Sequence, residues 1–352
     1  MRSVFWIILV LVIFVRVMTT RPIYSDGDKI KITTKVSSEP IKYDTSQRLI
    51  LVGLKTYLPN YPEISYGDKV VVEGTVGDGK LNDPKLISLE PIAGILYKTR
   101  NNIIKVYQKS LPEPHASLLA GLTLGSKAGL PADFWETLKE TGTAHVVVAS
   151  GMNVTLVAGF LIGILIMLLP RRKAIPLALA GVWTYSLLSG FDAPIVRAAI
   201  MGSVTFTAQA FGRLQTASRA LFLSAALMLI VKPDWITDLG FILSFVATAS
   251  LMLFERKISS LIRFMPGIFR EGLSTSLAAQ IGVAPILFAT FGQFSLLSPL
   301  INALVLWTIA PTTIIGGIGG IIGLASVTVG KAIIFLSYPL TTWFVWIVEA
   351  FG

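Results

Sequence analysis

Residues 142 to 170, GTAHVVVASGMNVTLVAGFLIGILIMLLP, form an apolar run long enough to cross a bilayer, yet His145, Ser150 and Asn153 sit in its first third. A membrane helix needs about 20 mostly apolar residues. Polar groups within such a helix lose water and must find partners in the protein or line a wet cavity. The first half of this helix is therefore expected to face protein or water instead of lipid. At about 100° per residue, Ser150 and Asn153 lie about 60° apart on one face, whereas His145 and Ser150 lie about 140° apart. The histidine is not poised on the serine.

Composition sets the class. The chain has 352 residues, 53% of them hydrophobic and 14% charged, with a mean hydropathy of +0.71. These values describe an integral membrane protein, not a soluble enzyme with an anchor. Cysteine is absent and His115 and His145 are the only histidines, so disulfides and thiolate metal sites are excluded and no metal or other cofactor is expected. Residues 20 to 95 carry ten basic and ten acidic side chains, so the net charge of +10 belongs to the remainder. An excess of cations in the membrane part fits the basic bias of cytoplasmic loops, and it also fits a path for a polyanion.

Along the chain, VFWIILVLVIFVRVM at residues 4 to 18 reads as a retained first helix within residues 1–20. Residues 21–93 change character. GDKIKITTKV, RLILVGLKTYL, KVVVEGTV and PKLISLEPI alternate polar and apolar residues between turn signals such as VGDGK, which predicts four or five strands in a small OB-like barrel. Such a barrel can bind single-stranded nucleic acid, although this one has no net charge and few aromatics. Residues 94–141 turn helical. Ile103, Val106 and Tyr107 share one face of a helix that either lies on the membrane surface or packs on its neighbours, and a short helix opens at Pro131.

Residues 142–352 form the multi-helix membrane domain. After the central run, spans are expected near 174–190, 194–211, 217–231, 236–254 and 273–291, with two or three more between 295 and 350. Basic clusters at Arg171 to Lys173, at Arg213 and Arg219, and at Arg256 to Arg270 fall on one side, which places them in the cytoplasm and the β domain outside. The stretch from Leu296 to Ser326 reads as one span with a re-entrant piece, or as two short spans broken at Pro311. The fold class is thus a polytopic α-helical membrane protein with a small all-β, OB-like barrel domain near the N-terminus, extracytoplasmic, in the cell membrane.

Further polar groups lie at span depth or at helix ends: Asp192 and Arg197, Arg213, Asp238, Gln280 and Asn302. Arg197 facing lipid at the bilayer centre would cost about 2.5–3.5 kcal/mol. It needs either Asp192 as an ion-pair partner or an anion. Pro194, Pro285, Pro299 and Pro311, with the glycines from Gly316 to Gly323, suggest discontinuous helices whose ends line a pathway.

Seven blocks in order carry a resemblance: GLTLGSKAGLP, TGTAHVVVASGMNV, DAPIVRAAIM, AFGR, DWITDLGFILSFVAT, SLAAQIGVAPILFATFG and SPLINALV. Together, over roughly residues 112 to 310, they resemble the ComEC competence family, the inner-membrane channel for transforming DNA. Where that family usually reads Ser-Gly-Leu-His, this chain has Ser150, Gly151, Met152 and Asn153. The metallo-β-lactamase-like domain that family members often carry after the membrane helices has no counterpart before the final IVEAFG. The resemblance implies a non-enzymatic channel for single-stranded DNA without its own nuclease, or a chain truncated relative to the usual architecture. It also implies the lipid bilayer as partner, and it leaves a DNA receptor, a separate nuclease, a cytoplasmic translocation ATPase and homo-oligomerisation as companions. His145, Ser150, Asn153, Asp192, Arg197, Arg213, Asp238, Gln280 and Asn302 are the expected lining of the pathway. Two other functions compete: a small-solute or anion transporter built on broken helices, and an intramembrane serine hydrolase using Ser150. The second lacks G-x-S-x-G and a properly placed histidine.

Overall fold

A computed structural model of the chain describes residues 11–16, 18, 19, 25–36, 39–42, 45–91, 94–127, 129–147, 150–210, 216–291 and 295–352. Of the expected first helix, residues 11–16 are helical, while residues 4–10 and 17 lie outside the described set.

The alternating segments form six strands: β1 (Lys29–Lys35), β2 (Ile41–Lys42), β3 (Ser46–Leu51), β4 (Leu54–Pro59), β5 (Lys69–Gly77) and β6 (Lys80–Glu90). Their order in one sheet is β1-β5-β6-β4-β3-β2. All pairings are antiparallel except β4 with β6, where Lys55 and Thr56 meet Lys80 and Leu81. The inward set is the alternate one, Leu49, Leu51, Leu54, Leu58, Val70, Val72, Val76 and Leu81, packed as a single core. RLILVGLKTYL is two strands, not one: Val52 and Gly53 both take positive φ, 49° and 85°, as a tight two-residue hairpin turn requires. Asp78 and Gly79 repeat the device between β5 and β6. The sheet is mixed and open among the described residues, and no ladder closes the expected barrel.

Thirteen helices follow among the described residues: α1 (Ile95–Ser110), α2 (His115–Leu124), α3 (Ala132–Glu140), α4 (Ala144–Val147), α5 (Gly151–Leu168), α6 (Arg171–Leu188), α7 (Ala193–Ala210), α8 (Ala217–Val231), α9 (Leu239–Leu261), α10 (Gly267–Phe291), α11 (Ser298–Ala325), α12 (Val327–Phe335) and α13 (Tyr338–Phe351). Among the described residues four stretches are long and apolar enough to cross a membrane: Ala144–Leu168, Leu239–Leu261, Phe269–Thr290 and Ser298–Ala325. The pair α12 and α13, bent by 49°, makes a fifth if it counts as one span.

Pro311 does not break the chain, because α11 runs through it for 28 residues. The glycines after it are surfaces for close packing and not helix ends. A Cβ on Gly316 would fall 2.6 Å from Leu119, one on Gly320 2.7 Å from the Tyr107 hydroxyl, and one on Gly323 2.5 Å from Val106. Tyr107 also donates a hydrogen bond to the Gly316 carbonyl at 3.0 Å. The apolar face of α1, with Ile103, Val106 and Tyr107, is thereby covered by α11, so the helix packs on its neighbours. Small residues that let backbones approach are the usual basis of helix association in lipid.

Candidate functional site

Arg197 stands one turn into α7, and its environment follows from the helices that α7 crosses. Its Nη1 donates to the Ser244 carbonyl of α9 at 2.5 Å and to the Thr248 hydroxyl, and its guanidinium lies 6.0 Å from the Phe245 ring centroid. Nε is buried without a hydrogen-bond partner, as is the Ser244 hydroxyl. On the other side the guanidinium abuts the first residue of α5: a Cβ on Gly151 would sit 2.9 Å from Nη2. Ser150 precedes that residue as the N-cap and makes no side-chain capping bond. Among the described residues no carboxylate lies within ion-pair distance of Arg197. Of the two alternatives for Arg197, the ion pair with Asp192 is thus not formed. Among the described residues the cation meets neutral oxygens, an aromatic face and the positive end of a helix dipole.

A second polar group gathers around Gly142, just before α4. Its carbonyl accepts from His145 Nδ1 at 2.9 Å and from the Ser298 hydroxyl at 3.4 Å. Asn302, 2% exposed, donates from Nδ2 to Ser298 and to Ser276 of α10, both at 3.1 Å, and its Oδ1 has no partner. Gln280 donates to the Ser295 carbonyl at 2.9 Å, in the turn that leads into α11. His145, Gln280 and Asn302, far apart in sequence, are therefore brought to one place.

The remaining expected residues take other positions. Asn153 is fully buried and donates to the Leu122 carbonyl at the end of α2, at 2.8 Å, with Oδ1 unpaired. Asp238 caps α9, its Oδ1 accepting from the Phe241 amide at 2.8 Å. A helix cap accounts for that carboxylate without a pathway. Arg213 lies outside the described residues. Asp192, just ahead of α7, lines a cavity beneath the sheet, where burial pushes its carboxyl above the ordinary range and Lys127 opposes the shift.

Sequence reasoning missed the junction between the sheet and the helices. Arg100 of α1, 4% exposed, donates through both Nη atoms at 3.2 Å to Glu39, in the link between β1 and β2. Glu39 also accepts from the Ser126 hydroxyl at 2.8 Å and from the Lys127 amide. Arg100 looks like one more charge on an amphipathic helix, and a partner 61 residues away leaves no local signal. Among the described residues no group of three or more His, Asp or Glu side chains is placed to hold a metal ion.

Comparison with known proteins places this arrangement. A family model described as "Competence protein" matches residues 122–352. The chain is 28% identical over 240 residues to "ComE operon protein 3" of Bacillus subtilis (strain 168), covering 68% of this chain and 30% of that protein. It is 28% identical over 220 residues to "Competence protein ComA" of Neisseria gonorrhoeae, covering 57% and 30%. An "Uncharacterized protein" of Aquifex aeolicus (strain VF5) is 32% identical over 204 residues, covering 57% and 46%. The matched region spans less than a third of the length of the first two relatives. No solved structure matches. The family match covers well over half of the chain, including the helices that carry Ser150, Arg197 and Asn302, and the chain belongs to the competence protein family, whose ComEC-type members are membrane proteins.

Proposed function

We propose that the chain is a transmembrane channel through which single-stranded DNA crosses the cytoplasmic membrane, with the sheet domain on the outer side. The observation that carries this reading is Arg197, a cation among α5, α7 and α9 with no carboxylate within ion-pair distance among the described residues. An unbalanced charge at that depth is unfavourable by several kcal/mol unless an anion visits it. A phosphodiester passing the start of α5 supplies that charge. The polar group around Gly142 and Asn302 adds uncharged donors and acceptors of the kind a wet path needs.

The sheet domain fits the same role. Its two edge strands, β1 and β2, are consecutive in the chain, and one parallel pair joins β4 to β6, features that support an OB-like reading. Arg48 and Tyr57 pair across β3 and β4, Lys55 lies beside them, and Lys55 and Tyr57 are exposed. Aromatic stacking and backbone cations are how such domains hold single strands. Exposed Arg171, Arg172, Lys173, Arg256, Lys257 and Arg263 fit the cytoplasmic side. A DNA receptor, a nuclease and a translocation ATPase act in this reading as separate chains.

The test is entry of labelled single-stranded DNA into cells carrying the chain, with Arg197→Ala and Arg197→Lys compared at matched membrane abundance. Loss of one charge-assisted phosphate contact is expected to lower uptake about tenfold or more in Arg197→Ala, with partial recovery in Arg197→Lys. Unchanged uptake in Arg197→Ala would sink the reading.

A further inference from the structure

Between the sheet and the helix ends lies a cavity of about 150 Å³, lined from above by Arg48 and Tyr66 and from below by Arg100, Lys127 and Asp192. Small-molecule pockets usually run to about 300–1,000 Å³. This cavity is too small for a nucleoside and suits one compact group.

The charges around it are unequally spent. Glu39 lines the cavity too, yet it is consumed by Arg100, Ser126 and the Lys127 amide. Arg100 still has Nε buried and without a hydrogen-bond partner, and its guanidinium lies 5.8 Å from the Tyr66 ring centroid. Among the described residues neither Arg48 nor the Lys127 ammonium has a carboxylate within ion-pair distance. Among the described residues lining the cavity, Asp192 is the one acid left to face these cations, and burial favours its neutral form. Two cations without ion pairs and a third with a free donor thus surround a space of tetrahedral-anion size.

We propose that this cavity is a phosphate-group site, in which Arg48 from the sheet and Lys127 and Arg100 from the helical side hold one phosphate between the two parts of the molecule. Taking that phosphate from a nucleic-acid backbone rests on the channel reading above; the site itself does not. Guanidinium and ammonium groups from opposite walls give charge-assisted hydrogen bonds whose strength depends on salt.

The test uses the full chain in nanodiscs of zwitterionic lipid, with inorganic phosphate titrated calorimetrically and a short oligothymidylate added as competitor. Phosphate is expected to bind, with Arg48→Gln and Lys127→Gln each weakening it about tenfold and Lys127→Arg retaining it. Arg256→Gln, exposed near the C-terminal end of α9, serves as the control, and an unchanged thermal midpoint shows that each variant is folded. Competition by the oligothymidylate would support the site and assign the phosphate to nucleic acid. Phosphate binding without that competition would support the site while removing the nucleic-acid source. Phosphate binding in zwitterionic discs that is lost when anionic lipid is included would support the site with a headgroup as its ligand. No phosphate binding in either type of disc, or equal affinity in the Arg48→Gln/Lys127→Gln double variant and the unsubstituted chain, would overturn it.

Discussion

The Arg197 guanidinium rests on Gly151, with Nη2 2.9 Å from the point a Cβ there would occupy, and not on Asp192, its acidic neighbour in sequence. Gly151 opens α5 with ordinary backbone, so alanine suits the helix and adds up to about 1 kcal/mol of helix propensity. The added methyl can be accommodated only by moving the end of the arginine, since Ala198 at 3.3 Å closes the other side. Gly151→Ala is therefore expected to keep membrane abundance and lower DNA uptake. Wild-type uptake at normal abundance would show that the position of the guanidinium is immaterial.

That relationship also marks where reading the sequence stops. Helices formed over the expected spans, and strands where alternation was clear, because those patterns are local. Arg197 was open to pairing with Asp192 because they are five residues apart, but at about 100° per residue that spacing turns them about 140° from each other on a helix. Asp192 moreover lies ahead of the first turn. The true partners, Ser244 and Thr248, come from a helix more than 40 residues later, and neutral oxygens give no charge pattern to notice. Val52 concealed a hairpin because a β-branched residue at positive φ is rare. His145 and Asn302 were both singled out, yet Gly142 and Ser298, which join them, carry no signal beyond their small size.

Packing of α12 on α11 rests on glycine against glycine. A Cβ on Gly330 would lie 2.4 Å from Gly323 Cα and 2.8 Å from its nitrogen, and backbone cannot yield as a side-chain tip does. Gly330→Ala is expected to lower stability by about 3 kcal/mol. Gly317, on the same helix as Gly323, has no atom within 4 Å of its would-be Cβ, so Gly317→Ala should be neutral or slightly stabilising. Thermal unfolding in detergent compares the two, and equal midpoints would mean that α12 does not sit against Gly323.

Orientation is open to a direct measurement, because the chain has no cysteine of its own. Lys80 is exposed at the start of β6, and Arg172 is exposed at the start of α6. Basic loops resist translocation. A cysteine replacing Lys80 is therefore expected to react with a membrane-impermeant maleimide in intact cells, and one replacing Arg172 only after permeabilisation. The reverse pattern would place the sheet domain in the cytoplasm and remove it from the entry side of a channel.

The buried pair of Glu39 and Arg100 sets how firmly the sheet is held on the helices. An exposed ion pair contributes about 0–1 kcal/mol, but Arg100 here is 4% exposed and, among the described residues, Glu39 is its one carboxylate partner. Glu39→Ala leaves that guanidinium buried with, among the described residues, the Leu124 carbonyl as its remaining hydrogen-bond acceptor, at 3.5 Å, and is expected to reduce stability by about 3–5 kcal/mol. Removing the stranded charge as well, in Glu39→Ala with Arg100→Met, should restore part of that loss, giving a coupling of at least about 1 kcal/mol in a double-mutant cycle. Protease sensitivity of the link between β1 and β2 should rise in Glu39→Ala and fall back in the double variant, since only the single variant has an uncompensated charge driving the sheet away. Additive effects of the two substitutions on the unfolding midpoint would mean that the pair does not hold the domains together, and that the docking rests on other contacts, such as Tyr97 against Tyr66 and Gly67.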